Sequence, residues 1–156
     1  MRHDPVTAAE ASRIAEDALA SGLADDAFAR AHGRWLPPLR ITDAAGTTAG
    51  WMVPLAFEDR LLGFAHLGDD GTFHRYAAFH QRPRDVENCP SVASWTDPRT
   101  IRARARLAVD ADARLTDPVL TSDGSPDRLV WRVTAIDRNG RRRHVHVAGD
   151  HAWLAD

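Results

Sequence analysis

The first apolar repeat of the chain is helical. After Asp4 and Pro5, Thr7 and Glu10 stand in capping-box spacing, and Ala11, Ile14, Ala15, Ala18, Leu19 and Leu23 recur at intervals that line one face of a helix. This predicts a helix over 5–23, with a short helical turn after it in DDAFARAH. The period then changes. RWLPPLRIT, GWMVPLAF, LLGFAHL and TFHRYAAFH are short runs rich in aromatic or branched residues, separated by Gly- or Asp-bearing turns, and they predict four strands. Pro37 and Pro38 put the first of these at an edge or a bulge, because proline has no N–H to give to a ladder.

Residues 81–96, QRPRDVENCPSVASWT, have no period and read as a connector. Asp97 then caps, and Pro98 begins, a second helix, RTIRARARLAV, with Ile101, Ala105 and Ala108 on one side. ARLTDPVLTS, RLVWRVTAI, RRRHVHVA and HAWL predict four more strands. A helix and four strands thus occur twice, over 1–80 and 97–156. PPLRITD (37–43) and DPVLTSD (117–123) occupy matching places, and DDG and RNG each close a tight turn. The order is either an internal duplication or chance similarity of two small units. The fold expected is α+β: two helix-plus-antiparallel-sheet halves packed as one compact unit.

From 97 to 155 the helix followed by RLVWRVTAIDRNGRRRHVHVAGDHAWL resembles PepSY-type and cystatin-like modules, in which a helix packs on a curved antiparallel sheet. The first half resembles them more weakly. The resemblance implies a cystatin-like fold and a regulatory or inhibitory role; such modules are usually secreted or membrane-attached.

Register follows from turn length, since a one-residue slip exchanges the two faces of a strand. In the second half a three-residue loop, RNG, with Gly140 left-handed sets Val133 opposite Val145 and Trp131 opposite Val147. Arg132, Arg142, His144 and His146 then share an outer face with no carboxylate in the same rows. That face reads as solvated and cationic, or as contacting an anion; its positive neighbours oppose a metal ion. Three-residue turns EDR and DDG in the first half put Trp51, Val53, Leu55, Phe57, Leu61, Leu67, Phe73 and Phe79 on a core face. They put Met52, Pro54, Leu62, Phe64, His66, His74 and Tyr76 on the other, with His66 opposite His74 and Phe64 opposite Tyr76. This second face is apolar for one that meets water. Either another part of the assembly covers it, or it forms a pocket or partner groove.

At 156 residues, 44% hydrophobic and 27% charged with a net charge of -2, the chain has the composition of a soluble globular protein, without the basic excess of a general nucleic-acid binder. Its basic residues are all arginine, so lysine Schiff bases and a P-loop lysine are excluded. Cys89 stands alone, and the start of the chain lacks the apolar run of a secretory signal. No window reaches a bilayer-spanning length. A cytoplasmic protein without membrane insertion is expected. GDDG is a hairpin turn rather than a phosphate cradle, and no metal motif is present in the first half, so neither a cofactor nor a metal is expected.

The function expected on these grounds is noncatalytic binding of a peptide, a protein partner, a second copy of the chain or an apolar small molecule through the sheet faces. The alternative is a cofactor-independent cyclase or isomerase of an apolar substrate, with His66, His74 and Tyr76 as its acid–base groups.

Overall fold

The computed structural model describes residues 3–80 and 83–155. It is α+β, with two antiparallel five-stranded sheets, and the chain divides into two compact units, 1–91 and 92–156. The boundary lies inside the segment read as a connector. That segment is not irregular: it holds a 3-10 helix, Pro83–Asn88, and a short α-helix.

In the first unit α1, Ala8–Ser21, begins at the capping box, where Glu10 N–H donates to Thr7 Oγ1 (3.2 Å) and Thr7 N–H to Glu10 Oε2 (2.7 Å). Gly22, left-handed at φ 85°, ends it, and Leu23 therefore leaves the apolar stripe and is 71% exposed. The small Ala11 and Ala15 let the helix sit close to the sheet, against Val53, Ala65 and Leu67. Leu19, Ala24 and Ala29 pack with Leu55 and Leu62. The helix α2, Ala27–His32, follows.

The first predicted strand is broken by its prolines into β1, Arg34–Trp35, and β2, Leu39–Thr42, which both pair with β3, Thr48–Phe57. Pro54 lies within β3. Its carbonyl accepts from Leu36 N–H (2.9 Å), and in an antiparallel strand its nitrogen points to that same side, toward the break between β1 and β2. No ladder bond to the next strand is lost. That strand is β4, Arg60–Gly68, followed by β5, Phe73–Ala78.

The second unit contains α3, Val92–Thr96; α4, Pro98–Arg106; and the strands β6, Arg114–Leu115; β7, Val119–Asp123; β8, Ser125–Ile136; β9, Arg142–Ala148; and β10, His151–Leu154. α3 departs from the expectation of an irregular segment because Trp95 is buried and its carbonyl accepts the Trp131 indole N–H (3.0 Å), a tertiary bond that local propensity does not report. Ile101 and Ala105 anchor α4 against β8, β9 and β10.

Strand order is β1-β3-β4-β5 with β2 also on β3 in one sheet, and β6-β8-β9-β10 with β7 also on β8 in the other. The two orders are the same, as an internal duplication requires. Each sheet has one short strand more than the sequence pattern predicted, because the runs carrying PP and DP divide at proline.

The second hairpin has the predicted register: Trp131 opposite Val147, Arg132 opposite His146, Val133 opposite Val145. Gly140 has φ 79° with open space around its Cα. Gly140→Ala is therefore expected to lower the unfolding free energy by about 1 kcal/mol through backbone strain alone, read as a shift of the urea midpoint at unchanged slope.

The first-half hairpins differ from expectation. Glu58 takes a positive φ of 54° in a two-residue turn, so Phe57 pairs with Arg60 and Ala56 with Leu61. A bulge then restores Leu55 opposite Gly63, Pro54 opposite Phe64 and Trp51 opposite Leu67. Leu61 thereby changes face, and Leu62 joins the helix-side cluster instead of the second face. A further irregularity between His66 and Leu67 sets Ala65 opposite Tyr76 and His66 opposite Arg75.

Candidate functional site

Two adjacent aspartates precede AFARAH, and the second, Asp26, caps α2: its Oδ1 accepts from Ala29 N–H at 2.9 Å. The other carboxylate oxygen accepts from the Tyr76 hydroxyl of β5 at 2.8 Å and lies 2.8 Å from His80 Nε2. One buried carboxylate thus ties α2 to β5 and to the residues just after it. The Asp26 and His80 side chains are 4% and 6% exposed. Since the carboxylate only accepts, His80 Nε2 carries its proton. His80 Nδ1 is buried and has no hydrogen-bond partner among the described residues. Burial, reinforced by the bond to the Asp26 carboxylate and by its charge, pushes the Tyr76 phenol well above its ordinary value and keeps it a neutral donor.

Aromatic rings surround this knot. Phe28 stacks tilted on His32 (4.8 Å between centroids) and meets the edges of Phe57 (5.4 Å) and His80 (6.0 Å). Phe28 and Phe57 are half-buried, whereas His32 is exposed. Rigidly capped, α2 thereby sets Phe28 and His32 against Phe57 of β3, three mutually packed rings partly open at the surface of the first unit.

The trio expected to share acid–base work is not assembled. His66 and His74 do meet, edge to face at 5.3 Å, because Gly68 leaves room beside the His74 ring. Tyr76, expected beside Phe64, instead faces the helix-side core and Asp26, since the β4–β5 irregularity shifts the pairing by one residue. Met52, Pro54, Phe64 and His66 do share the second face, but all four are buried rather than presented to a ligand, and only His74 is exposed. On that face the Arg75 guanidinium lies over the Phe64 ring at 5.5 Å, and Phe79, expected in the core row, packs on Phe64 at 5.8 Å. Leu62 has moved to the helix side.

On β8 and β9, Arg142 and His144 are exposed, and His144 Nδ1 bonds Thr134 Oγ1 at 3.1 Å. Arg132 is half-buried. His146 is buried instead of solvated, with its ring edge on to Trp153 (5.8 Å). A carboxylate does reach this row: Asp123, from the end of β7, lies 3.7 Å from His146 Nδ1. Burial, helped by Arg132, His144 and Arg128 and opposed by Asp123, holds the imidazole below its ordinary 6.5. The unfolded chain then binds the proton more readily, so stability falls as pH drops through that value. Urea unfolding compared at about pH 7.5 and 5.5 is expected to show this loss, with a shallower dependence in His146→Gln.

Asp26, His80, Phe28 and His32 were not singled out by sequence, and Phe57 was expected only as a core residue. The only local signal was an Asp ahead of a short helical run, and nothing near His80 reveals that it reaches an aspartate far away in the chain. Among the described residues no three His, Cys, Asp or Glu side chains are grouped to hold a metal ion, and no helix is long and apolar enough to cross a membrane.

No protein-family model, curated protein or solved structure matches the chain.

Proposed function

We propose that the protein is a noncatalytic binding module that engages a peptide or protein partner through the ring surface of Phe28, His32 and Phe57. The observation that carries this reading is the Asp26 knot, which engages the polar groups of Tyr76 and His80 and fixes α2, so that Phe28 and His32 stand against Phe57 of β3 with His32 exposed and both phenylalanines half-exposed. Rigid aromatic anchors lose little entropy on binding and suit a protein surface better than a reaction centre. Exposed charges of both signs flank the ring residues in the chain, Arg30 and Arg34 beside His32 and Glu58 and Asp59 after Phe57, as suits a polar rim around an apolar centre. The resemblance to PepSY-type and cystatin-like modules agrees with a regulatory role.

The experiment is native mass spectrometry of gently purified protein beside a Phe28→Ser/Phe57→Ser variant that melts within a few degrees of it. A peptide or protein mass retained by the wild type and lost from the variant supports the reading. Retention by both, or a bare monomer in both, overturns it.

One observation favours a second reading, a cofactor-independent cyclase or isomerase. His80 Nδ1 is a buried lone pair without a described partner, beside a carboxylate that orients the ring, as in a histidine general base. In that case His80→Gln abolishes turnover of an apolar substrate while leaving the fold intact; unchanged turnover would exclude it.

A further inference from the structure

We infer that a cleft between α4 and β6 is a docking site for an acidic peptide segment of a partner protein. In the first unit the space between the long helix and the first strand is filled by α2, whose Ala29 and Phe28 pack with Leu19 of α1 and Trp35 of β1. In the second unit no helix intervenes. The turn 107–113 takes its place in chain order, and a cleft of about 380 Å³ remains between Arg102, Ala103 and Arg106 of α4 and Arg114 and Leu115 of β6.

The cleft is built for anions. Arg106 is fixed by one terminal nitrogen, which donates to the carbonyls of Asp110 (3.1 Å), Ala111 (3.4 Å) and Ala113 (2.6 Å), so the rest of its guanidinium is held in place with no other bond among the described residues. The Arg114 side chain is exposed and makes no hydrogen bond or ion pair among the described residues, its backbone alone being engaged, in the ladder with β8. Arg102 meets a carboxylate of this chain, Asp117, at 3.3 Å, and Asp117 is itself 93% exposed. Three arginines thus line the cleft, and among the described residues the exposed, displaceable Asp117 is the only carboxylate paired with any of them, through Arg102.

A carboxylate-bearing peptide fits this better than a nucleic acid. Guanidinium forks pair carboxylates two bonds at a time, and Ala103 and Leu115 give the segment an apolar floor. No aromatic ring lines the cleft to stack a base, as single-stranded nucleic acid requires. The site is independent of the ring surface on α2.

The test is fluorescence anisotropy of a labelled glutamate hexapeptide titrated with the full chain at low salt, with the glutamine hexapeptide and a single-stranded oligonucleotide as competitors. Saturable binding of the glutamate peptide alone is expected. It should weaken at least about tenfold in Arg102→Gln/Arg114→Gln, whose substitutions are both at the surface. Asp117→Asn removes the internal competitor and should tighten binding, an effect that a merely structural role for these residues does not produce. Absence of saturable binding, equal binding by the double variant, unchanged or weaker binding by Asp117→Asn, or preference for the oligonucleotide would each overturn the proposal.

Discussion

Asp26→Ala is expected to lower the unfolding free energy by about 3–5 kcal/mol, because one carboxylate does three tasks that no neighbour can take over. The substitution removes the cap of α2, worth about 1 kcal/mol, and leaves two buried donors, the Tyr76 hydroxyl and His80 Nε2–H, without an acceptor at about 1–3 kcal/mol each. Asp26→Asn is expected to cost less, about 1–2 kcal/mol: the amide keeps the shape and the cap, and His80 can shift its proton to Nδ1 and accept from the new NH₂. Urea unfolding orders the three proteins.

Tyr76 is the sole tyrosine, so its ionisation is read directly from tyrosinate absorbance. The phenol is raised above its ordinary 10.0, so the stability that it contributes is complete below that value and is lost as pH climbs toward the folded-state value. Asp26→Ala should bring the transition down toward the ordinary range, since it removes both the bond and the nearby charge. A wild-type phenol that titrates at its ordinary value would show that the knot is not formed in solution.

Ile101→Ala is expected to cost about 3 kcal/mol in the second unit. Ile101 is fully buried, and with Ala105 it makes the whole buried face of α4 against β8, β9 and β10. Removing its side chain leaves only methyl groups to hold a helix that is otherwise rich in arginine and polar in character. Ile101→Val, which keeps the branch, should cost less than about 1.5 kcal/mol. Amide hydrogen exchange gives a second readout, since β8 and β9 lose protection if α4 is what shields them. Wild-type protection in Ile101→Ala would mean that the sheet does not depend on the helix.

The face of a strand was legible where the turn chemistry was unambiguous. RNG contains one glycine at the position that must be left-handed, and Val133, Val145, Trp131 and Val147 came out paired as read. EDR contains none. There Glu58 itself takes the positive φ, the loop shortens to two residues and a bulge absorbs the slip, so Leu61 and Leu62 exchange faces. Tyr76 was lost in the same way, by an irregularity of one residue that no composition rule marks.

The sequence by itself determined the local elements: the capping box of α1, the start of α4 at Asp97-Pro98, and an α+β fold with antiparallel sheets. These features depend on backbone dihedrals and on hydrogen bonds between residues close in the chain, which residue type controls. Only the tertiary structure decided which polar groups meet. Asp26 and His80 are neighbours because α2 packs on the sheet to which β5 belongs, and His146 is buried with Asp123 and Trp153 beside it. Burial and pairing of that kind depend on register and packing summed over whole elements, and a single side chain carries no local trace of them.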